Sequence, residues 1–273
     1  MSDPGLFGPE SVMWRVNREG VLLLGGGAAL ILQVAHPLVG AGVAEHSNYR
    51  EDPWGRLYRT LDITTSIVFG STEKAQAASD RLREVHSGVR GVTREDADGY
   101  PAGTKYFAND PKLGMWVHAT LVYTALQVYT AYVGPLTHEE RRQYYEEQKR
   151  LGEMFGVPVE AQPATLGEFY EYFDAMVEND LAVTNALRDV VDATMHPDLP
   201  FVARPLIEAI NLATVSLLPP RVRNELGLDW GPNRHRLVAA SRVLMRRALP
   251  VLPRLLRDFP PARSADRRVA QAA

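Results

Sequence analysis

The chain has 273 residues, of which 45% are hydrophobic and 23% are charged, and its net charge is −3. These proportions are typical of a globular protein and exclude an intrinsically disordered chain and a fibrous repeat. Because the sequence contains no cysteine, disulfide scaffolds, cysteine-ligated metal centres and cysteine nucleophiles are excluded as well.

The N-terminal region shows no secretory signal, because it lacks a basic start joined to an apolar run. The longest apolar stretch, residues 21–35, is shorter than the roughly 20 residues that a membrane-spanning helix requires. We therefore expect a cytoplasmic protein without stable membrane insertion.

Apolar residues recur at spacings of three and four along nearly the whole chain, which predicts helices. In chain order, the predicted helices cover residues 11–18, 20–35, 54–69, 72–89, 111–133, 139–155, 165–179, 182–192, 205–217, 220–225 and 234–256. Thr72, Thr137 and Thr165 are predicted N-caps. Strand-like alternation is missing, and residues 91–110 and 195–204 are predicted to be irregular loops. We predict a single all-α domain over residues 1–273.

The charge is unevenly distributed along the chain. Residues 201–273 contain 13 Arg, no Lys and 5 Asp or Glu, a local balance of +8. Since these arginines alternate with Leu, Val and Pro, we interpret them as a solvated helix face followed by a basic, partly disordered tail after about residue 258. Nucleic acid, a membrane surface or an acidic partner is the alternative, and of these we expect no nucleic acid.

Several common catalytic motifs are absent. The sequence has no HExxH, no Glu-x-x-His pair and no GxSxG, which argues against a zincin, a ferritin-type di-iron site and a standard nucleophile elbow. The tripeptide His196-Pro197-Asp198 is interpreted as a helix-capping loop rather than as half of an iron-binding triad.

Arg56, Arg59 and Thr60 stand at positions i, i+3 and i+4 of the helix predicted over residues 54–69, so they share one face. Two cations beside an apolar face require an anion or a polar ligand. A cofactor carboxylate or a bound oxygen species would satisfy them, and an ion-pair network with Glu45, Glu51 or Asp52 is an equally good alternative.

Two histidines are candidate cofactor ligands. His86 lies at the border of an apolar stripe on the helix predicted over residues 72–89, and His118 lies on a still more apolar helix. A neutral imidazole beside an apolar helical wall is a usual way to hold haem iron. A hydrogen-bonded core or surface histidine is the commoner outcome for either residue.

The motif Arg56-x-x-Arg59-Thr60, followed 26 residues later by His86-x-x-Val89-Arg90, resembles the haem-binding signature of the rubber oxygenase (latex clearing protein) and MpaB-like oxygenase family. The resemblance covers most of residues 11–260. Its other carriers are His36-Pro37, His46-Ser47, Asp110-Pro111 before Trp116-Val117-His118, and Leu217-Leu218-Pro219-Pro220.

The resemblance implies an all-α fold with a globin-like helical core enlarged by extra helices, and b-type haem as the cofactor. It makes His86 the proximal iron ligand and places Arg56 and Thr60 near the distal side, with Arg90 as a further cofactor-binding residue of the signature. The best-known member of the family cleaves the double bonds of polyisoprene with dioxygen.

The sequence departs from the family at Arg59, where the rubber enzyme has a lysine that can approach or ligate the iron. A guanidinium stays protonated and has no lone pair for a metal. Arg59 is therefore expected to donate hydrogen bonds to a bound oxygen species or to pair with a haem propionate. Without a secretion signal, a small apolar substrate is expected rather than an extracellular polymer.

We predict a haem b-dependent oxygenase that uses dioxygen or peroxide. Its metal ligand is His86, with His118 as the rival, and Arg59, Thr60 and His46 are the predicted catalytic residues. A non-catalytic haem-binding sensor or carrier and a haem-free helical protein are the alternatives, and a homo-oligomer is possible in each case.

Overall fold

The computed structural model describes residues 3–271, apart from the side chains of residues 53 and 54. Helices make up 71% of the chain, so the predicted all-α class is confirmed. The α-helices are α1 (Val12–Asn17), α2 (Gly26–Ala35), α3 (Pro37–His46), α4 (Pro53–Phe69), α5 (Thr72–Ser87), α6 (Pro111–Val128), α7 (His138–Met154), α8 (Leu166–Asn179), α9 (Asn185–Met195), α10 (Arg204–Leu217), α11 (Pro220–Glu225), α12 (Pro232–Ala248), α13 (Arg254–Arg257) and α14 (Pro260–Ala270).

Shorter elements connect these helices. The 3₁₀ helices span Gly20–Gly25, Val159–Ala161, Phe201–Ala203 and Leu249–Val251, and a π-helical turn over Tyr129–Val133 follows α6. The predicted helix over residues 234–256 is divided into α12, a 3₁₀ helix and α13. Pro250 and Pro253 account for the division, because proline has no N–H to donate and clashes with the preceding turn.

A small antiparallel hairpin, β1 (Arg90–Val92) with β2 (Lys105–Phe107), occupies the segment predicted to be an irregular loop. Gly91 lies opposite Tyr106 in this hairpin. A Cβ atom on Gly91 would lie 2.5 Å from the Tyr106 hydroxyl, so glycine at this position leaves room for the Tyr106 side chain.

Most of the predicted helix starts are confirmed. Thr137 and Glu140 form a reciprocal capping box at α7, and the Thr165 hydroxyl accepts the Glu168 N–H at 3.2 Å. The predicted cap at Thr72 is wrong, because Ser71 accepts the Lys74 N–H while Thr72 bonds to Asp3.

Helix α6 lies at the centre of the hydrophobic core, in contact with α2, α7 and α8. Trp116 on α6 is fully buried and its indole N–H donates to the Leu32 carbonyl on α2 at 3.0 Å. The ring of Tyr123 stacks on Phe173 of α8 with 4.0 Å between centroids. One contiguous apolar cluster extends from Phe7 to Ala265.

Within the described range, no helix is both long enough and apolar enough to cross a membrane by itself. The segments Gly20–Ala35 and Pro37–His46 meet that length and composition only when taken together, and they are bent by 107°.

The C-terminal segment, which was expected to be partly disordered, forms helix α14 and packs on the N-terminal helices. Ala262 and Ala265 are buried. The Arg18 guanidinium bonds to Asp258 at 2.7 Å and to Asp266 at 2.6 Å, and the Asp258 side chain is only 4% exposed. Ion pairs therefore join the two ends of the chain.

This cluster predicts a large stability difference between two arginine substitutions. Arg18→Met leaves the buried Asp258 carboxylate without its cation, and the free energy of unfolding should fall by about 3 kcal/mol. Arg142→Met is the control, since its pair with Glu139 is exposed and should contribute less than about 1 kcal/mol. Urea unfolding measures both, and equal losses would contradict the structural role of the cluster.

Candidate functional site

Helices α4 and α5 pack against each other and are joined by a turn at Gly70 and Ser71, so they run antiparallel. An ion pair of 2.8 Å between Arg81 of α5 and Asp62 of α4 fixes which turns face each other. Five residues beyond Arg81 is His86, and five residues before Asp62 is Leu57. Since both helices rise equally per residue, His86 lies at the level of Leu57 along the helix pair, which is the level of the turn that carries Arg56. The two halves of the signature therefore lie at the same end of this helix pair.

Arg56 is a half-buried cation without a counter-ion. Its guanidinium makes neither a hydrogen bond nor an ion pair with any residue whose side chain is described. Burial, and then the positive charge of Arg59, lowers the pKa of Arg56. A guanidinium nevertheless remains protonated at neutral pH. Such a group is stabilised by an anion, so Arg56 fits the ligand alternative of the sequence analysis.

Arg59 behaves differently, although it lies one turn further along the same helix. Its guanidinium is 58% exposed and pairs with the Asp52 carboxylate at 3.0 Å. Asp52 is also the N-cap of α4 and accepts the Gly55 N–H at 2.9 Å. Thr60 is exposed and its hydroxyl donates to the Arg56 carbonyl at 3.0 Å. Arg59 thus fits the ion-pair alternative, and the catalytic roles of Arg59 and Thr60 stay predictions.

His86 is half-buried near the end of α5. Its imidazole makes no hydrogen bond within the described part of the chain, and burial lowers its pKa. The ring is therefore neutral at pH 7 and keeps an unused lone pair, as iron ligation requires. Three apolar side chains at this level of the helix pair, those of Leu57, Tyr58 and Val85, are more than 40% exposed.

His118, the rival ligand, is buried in the core on α6. Its ring stands edge-on to Phe155, with 5.8 Å between centroids, and neither ring nitrogen has a partner. Burial lowers the pKa of His118 to about 4, so the ring packs as a neutral group. It lies on a different element from the α4–α5 pair, and its role as a ligand stays a prediction.

Two further predicted residues lie in or beside the hairpin, which follows the end of α5. His46 is exposed at the end of α3, with its ring 6.2 Å from that of Tyr106. Arg90 in β1 lies over the Phe107 ring at 5.7 Å and donates to the Ser87 carbonyl at 2.9 Å. The roles predicted for His46 and Arg90 remain untested.

A polar cluster around Glu45 is not predicted from the sequence. One of its carboxylate oxygens accepts the Tyr106 hydroxyl at 2.7 Å and the other accepts Arg94 at 3.2 Å. The hydrogen bond from Tyr106 lowers the pKa of Glu45, and burial, together with the Glu45 bond, raises the pKa of Tyr106. No sequence signal reveals this contact, because 61 residues and an unpredicted hairpin separate Glu45 from Tyr106.

A cavity of about 470 Å³ opens between α3, the hairpin and α9. Its walls combine small apolar side chains with charged ones, among them Glu45, Arg94, Glu95 and Asp189. The lining contains neither Arg56 nor His86, so this cavity is separate from the α4–α5 site.

His36 belongs to a buried structural network. It ends α2 and starts α3, and its Nδ1 accepts the Leu38 N–H at 3.3 Å, so the proton of the neutral ring is on Nε2. Nε2 lies 3.3 Å from the Tyr100 hydroxyl, which donates to Asp180 at 3.1 Å. Burial lowers the pKa of His36 to about 4. His196, at the end of α9, pairs with Asp192, as expected of a helix-capping loop.

The α4–α5 pair fits a haem better than a protein-ligated metal ion. Over residues 3–271 there is no group of three His, Cys, Asp or Glu side chains that could hold a metal. Haem iron requires only one protein ligand, because the porphyrin supplies four nitrogens. An unbonded neutral imidazole, a guanidinium without a counter-ion and exposed apolar side chains match the iron, the propionates and the ring of a haem.

Comparison with known proteins agrees with the motifs. The sequence profile described as "ER-bound oxygenase mpaB/B'/Rubber oxygenase, catalytic domain" matches residues 14–248. Uncharacterized proteins of Mycobacterium bovis and Mycobacterium tuberculosis are each 28% identical over 217 residues, which is 77% of this chain and 81% of each relative. No solved structure matches, so the globin-like arrangement of the core stays a prediction.

The two buried neutral histidines predict loss of stability in mild acid. For His36 and His118 the pKa falls from 6.5 to about 4 on folding, so the unfolded chain binds more protons between these values. The contribution of these histidines to the free energy of unfolding is fully present above pH 6.5. It decreases as the pH falls towards 4, by roughly 3 kcal/mol for each histidine at most. Urea unfolding between pH 7.5 and 5 measures this slope.

Two substitutions separate the contribution of His118 from general acid effects. His118→Leu should reduce the slope by up to about half, because it removes one of the two groups with the largest pKa shifts, and His86 contributes to the slope that remains. His196→Leu, at an exposed histidine, should leave the slope unchanged. A slope that is the same in wild type and in His118→Leu would contradict the prediction.

Proposed function

The chain belongs to the family of ER-bound oxygenase mpaB/B' and rubber oxygenase catalytic domains, and on this premise we propose that it is a haem b-dependent oxygenase acting on a small apolar substrate. The family is that of an oxygenase catalytic domain, which supports an oxidoreductase role. Haem b, the use of dioxygen or peroxide, the apolar substrate and a cytoplasmic location are part of the proposal.

One observation carries the proposal. On the α4–α5 pair, Arg56 and His86 are both drawn away from water at the same level, and neither has a partner in the described part of the protein. Separately, a guanidinium requires an anion and an imidazole lone pair requires a metal or a proton donor. Haem satisfies both, since it has carboxylates at its edge and iron at its centre.

The residues then have distinct tasks. Haem b, when bound, supplies the activation of dioxygen or peroxide. His86 would hold the iron through its unused lone pair, and Arg56 would pair with a propionate. Arg59 cannot ligate a metal, and it could donate to a ligand only by exchanging its present partner Asp52.

A non-catalytic haem-binding protein is the second candidate. The position of the cavity near Glu45 favours it, because a substrate there would lie in a space that neither Arg56 nor His86 lines. Oxygen uptake separates the two candidates. The haem-loaded protein should consume oxygen or peroxide with at least one member of a panel of small alkenes if it is an oxygenase, and with none if it only binds haem.

The ligand assignment predicts opposite effects for two histidines. Protein purified from haem-fed cells should show a Soret band, and His86→Leu should remove at least nine-tenths of it, because the only proposed protein bond to iron is lost. His118→Leu should keep it. Added imidazole should restore the band in His86→Gly. If His118→Leu alone loses haem, His86 is the wrong ligand. A colourless wild-type protein would contradict the haem proposal itself.

The contrast between the two arginines predicts a difference in haem affinity. Arg56→Gln should weaken haem binding at least tenfold, the lower limit expected for one charge-assisted hydrogen bond. Arg59→Gln should change the affinity by less than about twofold, because Asp52 already satisfies this cation. Titration of apoprotein with haemin gives both dissociation constants, and a larger effect at Arg59 would reverse the assignment.

A further inference from the structure

Apolar side chains project into solvent from several elements of the C-terminal third. We define the C-terminal apolar surface by the side chains of Phe201, Leu206, Leu237, Leu244, Val251 and Leu255, each at least 60% exposed. Isolated exposed leucines are ordinary, but a set of this size on neighbouring elements indicates an interaction site.

The elements that carry these residues pack side by side. Helix α10 contacts α12 and the 3₁₀ helix Phe201–Ala203, and α12 contacts the 3₁₀ helix Leu249–Val251. An apolar groove of about 300 Å³ runs between them and is lined by Leu23, Ile210, Met245, Leu252 and Leu256 among others. The six exposed side chains thus stand on the elements around this groove, and none of them is among its lining residues.

Helix α12 shows the character of this surface most clearly. Its outer face has Arg236 and Arg247 nearly in line along the helix, with Leu237 and Leu244 two turns apart beside them, while Val238 faces the core. The outer face of a surface helix is normally polar throughout. Here it combines aliphatic side chains with cations.

The cations on this surface are free. Arg236, Arg247 and Arg254 make no hydrogen bond or ion pair with any described residue. By contrast, Glu225 and Asp229 are already paired with Arg221 and Arg234. With its balance of +8, the region thus offers unpaired positive charge next to exposed aliphatic side chains.

The positive charge of the C-terminal apolar surface indicates which kind of partner it binds. A second copy of the chain in a two-fold contact would bring the same arginines together, which is repulsive. Nucleic acid supplies phosphates, but its bases stack on aromatic rings, and five of the six defining side chains are aliphatic. An anionic bilayer supplies phosphates for the arginines and an acyl region for the aliphatic side chains.

We propose that the C-terminal apolar surface docks the protein on an anionic lipid bilayer. The aliphatic side chains enter the boundary between headgroups and acyl chains, and Arg236, Arg247 and Arg254 lie at the lipid phosphates. This is peripheral binding through a folded surface, and it does not depend on haem or on the proposed reaction.

Vesicle flotation tests the proposal with the full chain. Wild type should float with phosphatidylcholine vesicles that contain phosphatidylglycerol, should not float with phosphatidylcholine alone, and should bind less as salt increases. Arg236→Gln with Arg247→Gln should reduce binding by about fivefold for each charge removed. Leu244→Ser should reduce it at least tenfold, as expected for a leucine that no longer leaves water.

Matched substitutions elsewhere control for charge and for folding. Arg142→Gln with Arg188→Gln removes the same charge from α7 and α9, and Val159→Ser removes another exposed aliphatic group. Both should bind within about twofold of wild type, and circular dichroism melting should be unchanged in all variants.

The proposal would be overturned if wild type did not float with anionic vesicles, or if the control variants lost as much vesicle binding as the surface variants. It would also be overturned if the surface mediated dimerisation or RNA binding instead of vesicle binding. Haem content is not part of this readout, so failure of the docking proposal and failure of the oxygenase proposal are distinguishable.

Discussion

A guanidinium cannot give up its charge when it leaves water, and Arg56 is in that situation without a counter-ion. Aspartate, glutamate, histidine or lysine would respond to burial by becoming neutral, but arginine cannot at physiological pH. Water still reaches part of this half-buried side chain, and an opposite charge, either from the protein or from a ligand, stabilises the rest. In the described structure the protein does not supply one, and the meaning of the α4–α5 pair follows from that single fact.

The other buried charges of the described structure are held in different ways. Arg18 is held by Asp258 and Asp266, and the nearly inaccessible Glu19 is paired with Arg257 at 2.6 Å. These pairs join the two ends of the chain and have a structural purpose. Arg223 has no ion pair with a described residue either, but it lies over the Trp230 ring at 4.9 Å. Arg56 has no counter-ion and lies in the motif that the family signature matches, where a ligand is expected.

The three buried or half-buried histidines also differ in the partners of their rings. His36 is bonded through both ring nitrogens and joins α2 and α3 to Tyr100. His118 is enclosed by the core and packs as an apolar ring. Among these three, His86 has a half-buried, neutral ring at the level of an unpaired cation and of exposed apolar side chains. Burial by itself does not distinguish these roles, but the neighbours of each ring do.

The C-terminal region has an unusual surface, because it exposes large apolar side chains. Its helices expose leucine, valine and unpaired arginine, whereas the cavity lined by Glu45 and Asp189 lies on other elements, between α3, the hairpin and α9. Bilayers concentrate small apolar molecules, so the proposed docking surface and the proposed substrate class are compatible. The two proposals nevertheless rest on different residues and on different interactions.

The sequence alone determined which segments are helical, because the spacing of apolar residues and caps such as Thr137 and Thr165 act within a few residues of the chain. The sequence also showed that Arg56 and His86 occupy positions that match a family signature. It missed the hairpin, since three-residue strands are too short to show alternation, and it missed α3, which follows directly after the break at His36 and Pro37.

Only the tertiary structure separated Arg56 from Arg59. The two are chemically identical and one turn apart, and the difference arises from which of them reaches Asp52 and which is withdrawn from water. The same holds for α12, where periodicity predicted a helix but not which of its stripes faces the core. A helical pattern fixes the angles between side chains around an axis, whereas the direction of that axis and its neighbours depend on contacts between residues far apart in the chain.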